Sequence, residues 1–240
     1  MTDDRPEEYD ELVERVKKIS NVGNAASVLQ WDQEVMMPEG GTQARSQQLS
    51  ALSSVRHDLL TKDEVGELLD SLRDSSLGDE ERAVVREVRR EYERADRVPN
   101  DLVERISRTT SEALPVWKEA KTEGDFSKFE PKLDTLVELR RDYAEHIDPD
   151  RSPYAVLFEE FEPYLGIDTA ERILERLRDE LVPMVEEIRR SDAEVGNRLP
   201  DRKYDEEAQK RLVREALDSL GYDWDRGRLD TAPHPFSTGT

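Results

Sequence analysis

Apolar residues return every three or four positions along almost the whole chain, and no stretch alternates apolar with polar at every second residue. That period puts one apolar stripe on a helix and cannot serve a half-buried strand, so the fold class is constrained to all-α. From Tyr9 to Ile19 the stripe is Leu12, Val13, Val16 and Ile19. A second segment is predicted from Asn24 through Val35, ended by Met37-Pro38-Glu39-Gly40-Gly41. A third runs from Thr42 to Leu60 with Leu49, Leu52, Val55 and Leu59 on one face. Thr61-x-x-Glu64 reads as a capping box for a short helix, and Asp79 as the cap of a charged one reaching Val98.

Pro99-Asn100 opens the next helix, through Leu102, Ile106 and Trp117 to Gly124, with Pro115 expected to kink or break it. The pattern continues from Phe126 to Ile147. Ser152-Pro153 is an N-cap followed by a first-turn proline, for a segment ending near Glu162-Pro163. Asp168-x-x-Glu171 reads as a second capping box, before a long stripe through Leu174, Leu177, Leu181 and Ile188. The last helix spans Asp205 to Leu220, stopped by Gly221. With no linker rich in Gly or Ser, residues 1–240 are expected to form one unit of long antiparallel helices.

Such a pattern is needed to believe in a fold at all, because 57 acidic against 36 basic residues (net charge −21) and 35% hydrophobic residues approach the composition of disordered chains. There are 27 Arg and 9 Lys, and the carboxylates are spread along every helix rather than blocked. We read the acidity as adaptation to a high-salt cytoplasm, where a short Debye length screens self-repulsion. The competing reading is a surface for a basic partner. The absence of a basic patch argues against nucleic acid as a partner, and the absence of a long apolar run argues against a membrane one. The acidic, polar start carries no signal-peptide pattern, and zero Cys removes disulfides and thiolate metal sites.

Histidine is scarce. His57, His146 and His234 share no ligand spacing, and neither His-Glu-x-x-His, a phosphate loop nor a Gly-x-Ser-x-Gly elbow occurs. His57 on an amphipathic helix and His146 at a helix end read as structural. Trp31-Asp32 with Met36-Met37-Pro38 reads either as helix packing and a turn or as a cleft wall, and Arg45 with Gln48 as bonding helix ends. His234 stands between Pro233 and Pro235 and is thereby held extended. It is structural or functional with equal weight on these grounds.

Three blocks, taken together and in order, resemble the carboxypeptidase Taq family of zinc metallocarboxypeptidases. They are Leu29-Gln30-Trp31-Asp32 with Met37-Pro38-x-Gly40-Gly41, Arg45-x-x-Gln48-Leu49 and His57; Tyr154 to Glu162-Pro163 and on to Leu181-Val182-Pro183; and Gln209 to His234-Pro235-Phe236. The resemblance departs at Ala155, where an acidic residue is usual, and at Phe161, where Tyr is. It implies a zincin-like helical fold, release of C-terminal residues from peptides, one zinc or cobalt ion and commonly a homodimer; the cytoplasmic expectation comes instead from the missing signal-peptide pattern and the lack of Cys. The resemblance also implies that His234, Pro235 and Phe236 form a substrate-side loop, with the His-Glu-x-x-His helix beyond it. None of these 240 residues is then a catalytic group or metal ligand, and the chain is expected to be an N-terminal part that binds no metal and is inactive alone. The alternative is a standalone helical binding or regulatory protein derived from the peptidase.

The acidity reading predicts that helicity by circular dichroism rises from dilute buffer to molar KCl. A flat salt titration contradicts it.

Overall fold

The computed structural model describes residues 5–191 and 203–239. Its described elements are helical: α1 (Glu7–Val35), α2 (Thr42–Leu60), α3 (Asp63–Ser71), α4 (Asp79–Ala95), α5 (Asn100–Glu123), α6 (Glu130–Ile147), α7 (Pro153–Phe161), α8 (Ile167–Arg190) and α9 (Glu206–Ser219), with short 3-10 turns at Glu39–Gly41 and Phe126–Lys128. They divide into two compact units: one reaches Phe161 and takes in the segment from Thr231, and the other is Glu162–Asp230.

In the first unit, α1 and α2 run antiparallel. Arg45 of α2 pairs with Asp32 of α1 at one end, and Gly23 faces Arg56 at the other. The turn between them is tight, since a Cβ on Gly41 would meet the Met37 side chain at 2.9 Å. α5 runs antiparallel to α2, with Asn100 at its start donating to Asp58 near the end of α2, and small polar side chains meet between them. Ser50 Oγ donates to Glu104 O at 3.2 Å, and Ser53 Oγ to Ser107 Oγ at 2.9 Å. Apolar burial lies to either side of this seam. One cluster joins α1, α3 and α4 through Leu12, Val65, Leu69 and Val85; the other joins α5, α6 and α7 through Leu102, Leu139, Ile147 and Val156. Arginines of α4 fix α7: Arg94 pairs with Glu159 at 3.6 Å and Glu160 at 3.7 Å, and Arg90 donates to Glu159 O.

Several sequence expectations need correction. α1 is a single 29-residue helix that passes through Gly23-Asn24. Gly and Asn lower helix propensity, but packing on α2 outweighs about 1 kcal/mol. Neither predicted capping box forms. Thr61 Oγ1 donates to His57 O at 2.9 Å, closing α2, and the N-caps of α3, α4 and α8 are Lys62, Gly78 and Gly166. Asp79 and Asp168 instead lie in the first turn, where carboxylates still complement the helix dipole. Pro115 does not break α5, which continues to Gly124 at φ 68°. Ser152 does cap α7, its Oγ accepting from Ala155 N at 3.2 Å.

In the second unit, Asp205 caps α9 by accepting from Ala208 N at 2.8 Å. Gly221, at φ 77°, ends it with paired bonds from Gly221 N to Asp218 O and from Tyr222 N to Leu217 O, the Schellman arrangement. The 24-residue α8 buries only Ala170 among its described residues. Leu174, Leu177, Leu181, Met184 and Ile188 form an exposed apolar stripe along it.

Leu102 is 2% exposed and Leu181 46%. Leu102→Ala is therefore expected to cost about 2–5 kcal/mol in chemical denaturation, and Leu181→Gln within about 0.5 kcal/mol. Equal losses contradict the placement of the core.

Candidate functional site

The His234-Pro235-Phe236 segment lies against the C-terminal half of α5. Lys121 Nζ donates to Pro233 O at 2.6 Å, and the same ammonium sits 4.9 Å from the centre of the Trp117 ring. Trp117 and Lys121 are one helical turn apart, so they share a face. The His234 ring meets Trp117 edge to face, with centroids 6.1 Å apart and planes at 70°. His234 Nδ1 lies 2.8 Å from Pro235 O, which accepts in the tautomer protonated there. Phe236 is 43% exposed and so presents much of an aromatic ring outward.

Trp117 also forms part of a groove of about 560 Å³ between α1, α2, α5 and α6, lined among others by Gln33, Glu34, Leu49, Ile106 and Tyr143. That volume suits one or two side chains of a ligand. Its polar groups are held in place. Gln33 Nε2 donates to Ser111 O at 3.0 Å and lies 2.9 Å from Ser111 Oγ, which in turn lies 3.1 Å from Gln33 Oε1. Both residues are buried. Ser111 O is the carbonyl four residues before Pro115, the one that a proline inside a helix leaves without an N–H. Gln33 of α1 supplies the missing donor. Glu34 is paired with Lys118 at 3.2 Å, an ion pair in which its Oε2 has no well-aligned hydrogen bond. Burial, with a hydrogen bond to Glu160 second, pushes the Tyr143 phenol up to about 12, so it stays a neutral donor.

The other two histidines lie elsewhere. His57 borders a second depression with Arg56, Arg90 and Arg94; burial lowers its pKa against the opposing pull of Asp58 and of a backbone hydrogen bond with Val98. His146 Nε2 stands 3.6 Å from Asp142 Oδ1 on α6. Among the described residues no three His, Cys, Asp or Glu side chains gather as metal ligands do. The described residues hold no cluster that fits the zinc or cobalt site the resemblance implies, and no chemical step is drawn through one.

A family model for the carboxypeptidase Taq (M32) metallopeptidases matches residues 11–240. The chain belongs to this family. It is 34% identical over 232 residues to thermostable carboxypeptidase 1 of Pyrococcus furiosus and 29% identical over 230 residues to carboxypeptidase 1 of Bacillus subtilis. Each alignment takes in 95% of this chain and 46% of the relative, so the chain spans about half the length of the curated relatives it matches. The fold is similar to the crystal structure of BsuCP, at a TM-score of 0.90 and 28% identity, covering 98% of this chain and 48% of that one.

The first M32-like block is structural. Arg45 donates to Leu29 O and to Asp32 Oδ2 (2.6 Å), and its Nε donates to Gln48 Oε1 (3.1 Å), tying the end of α1 to the start of α2. Tyr222 and Trp224 of the third block pack against each other at 4.7 Å, with the Arg214 guanidinium 4.0 Å from the Trp224 ring. Of the histidines weighed from the sequence, His234 meets the wall of the groove, while His57 and His146, read as structural, join neither the groove nor the His234 loop. Sequence reasoning missed Trp117, Lys121 and the Gln33–Ser111 pair. The only local signals were the i, i+4 spacing of Trp117 and Lys121 and the proline four residues after Ser111.

A depressed His57 pKa means that the unfolded chain binds the proton more readily than the folded one. The contribution is then fully present above the ordinary histidine pKa and is lost as pH falls through the folded value. His57→Gln is expected to flatten the drop in thermal midpoint between about pH 7.5 and pH 5, the interval in which histidine titrates. Parallel profiles for the two proteins contradict this.

Proposed function

We propose that this chain supplies the substrate-side helical scaffold of a zinc-dependent metallocarboxypeptidase releasing C-terminal residues from peptides. The metal ligands come from outside these 240 residues. The observation that carries the reading is the family match over residues 11–240, in a chain that contains no His-Glu-x-x-His. The position of His234, Pro235 and Phe236 beside an amphipathic groove supports it. In this reading the groove receives a side chain of the peptide, while the His234 ring and the exposed Phe236 ring border the bound substrate. Binding and orientation are the tasks of this half; polarising the scissile carbonyl is not. We further take the protein to work in a salt-rich cytoplasm, which its acidic surface and lack of cysteine suit.

The test uses the 240-residue chain with Trp31 and Trp224 replaced by Phe, so that Trp117 alone emits. A blocked peptide with a free C-terminus should change the Trp117 emission saturably. Incubation with zinc or cobalt should give neither one-to-one metal nor released amino acid. No saturable change removes the substrate-side role, and metal-dependent release of C-terminal residues overturns the division of labour.

A further inference from the structure

Lys121 differs from the lysines of this acidic chain that pair with carboxylates. Lys118, Lys128, Lys132 and Lys210 each sit against carboxylates, at 3.2, 2.5, 3.2 and 3.0 Å in their hydrogen-bonded or ion-paired contacts. The described contacts of Lys121 are instead a neutral carbonyl, Pro233 O, and an indole, Trp117. With 57 acidic residues in the chain, a lysine directed at a loop carbonyl is a specific arrangement rather than a default one. The carbonyl belongs to the residue before His234, and a proline there has no N–H with which to anchor the loop itself. The indole beneath the ammonium is the one that His234 meets edge to face. An indole attracts a cation over its ring and an aromatic edge by the same quadrupole, so the two contacts are compatible on a single side chain.

We propose that Trp117 and Lys121 are positioning residues: a clasp that holds the His234 loop on α5 and ties its placement to occupancy of the groove. Trp117 is the shared part. It lines the groove and also meets the His234 ring. A ligand that presses on the indole from the groove side therefore alters the seat of His234, and a loop that lifts away loosens the groove wall. Lys121 acts on Pro233, and through it on His234, without touching the ligand. The functional consequence rests on the substrate-side reading of the loop, while the clasp itself rests only on the geometry.

The chain has three histidines, so the ring C–H proton signals of each can be resolved by NMR and assigned with His57→Gln, His146→Gln and His234→Gln. In the native chain the His234 signals should be displaced by the Trp117 ring current. Trp117→Leu should return them to the position of an unstructured histidine while His57 and His146 stay where they are. Lys121→Met, which keeps the aliphatic stem and removes the donor, should do the same in part, and Lys121→Arg should restore the displacement. Should Trp117→Leu unfold the chain, all three histidines will move together, and the exposed Lys121→Met variant then decides. His234 signals already at the unstructured position in the native chain, or unmoved by Lys121→Met, overturn the clasp. These readouts need no peptide, so they separate failure of the clasp from failure of the substrate-side reading. That reading fails on its own if the clasp is present and peptides leave the Trp117 emission unchanged.

Discussion

One missing hydrogen bond links α1 to α5 in the first unit. Pro115 sits inside α5 without an N–H, so Ser111 O has no partner within its own helix. A buried carbonyl left in that state costs about 1–3 kcal/mol. Gln33 of α1 supplies the donor at 3.0 Å, and its amide also pairs with Ser111 Oγ. Because a hydrogen bond is directional where an apolar contact is not, this pair fixes the register of α1 against α5. The small side chains of the α2–α5 seam, Ser50, Ser53 and Ser107, let the helices approach closely and add hydrogen bonds of their own across it. Just beyond that bond on α5 come Trp117, two residues after Pro115, then Lys118 with its partner Glu34, then Lys121 with the His234 loop.

The same geometry accounts for the character of the groove. The surface of the chain is crowded with carboxylates, yet the space beside Trp117 is walled by Leu49, Ile106, Tyr143 and a neutral amide. Its nearby charges are already engaged, Glu34 by Lys118 and Arg140 by Glu160. Burial keeps the Tyr143 phenol protonated. Such a groove selects by shape and apolar contact, and among the described residues its lining offers no unengaged cation to hold a carboxylate. That is the kind of surface the proposed seating of a substrate side chain requires.

Much of this is legible in the sequence, for identifiable reasons. Helix existence and type follow from the 3.6 period, which the acidic faces sharpen by contrast. Gly221 and the Asp205 cap are readable because their geometry is local. The family is readable because its blocks are short and rigid, and one of them, Trp31-Asp32 to Arg45-x-x-Gln48, proves to be a helix-closing device. Boundaries fail where local signals are degenerate. With so many carboxylates, an acidic residue three positions after Thr61 or Asp168 carries little information, and neither capping box forms. Gly23-Asn24 reads as a break because propensity is local, whereas packing against α2 is not. The Gln33–Ser111 pair is only half legible: Pro115 marks Ser111 O as lacking a helical donor, but nothing names Gln33, 78 residues away, as its supplier.

Gln33 matters to this scaffold because Pro115 is present, and a double-mutant cycle isolates that dependence. Gln33→Leu and Pro115→Ala are made singly and together, and stability is measured by chemical denaturation. In the Pro115→Ala background the helix supplies its own donor to Ser111 O, so losing Gln33 should cost less there than in the native chain. A coupling of about 0.5–3 kcal/mol is the range for groups in direct contact, and a value in that range with this sign is expected. Additivity within about 0.3–0.5 kcal/mol, the behaviour of independent sites, would contradict the claim that Gln33 satisfies the carbonyl orphaned by Pro115.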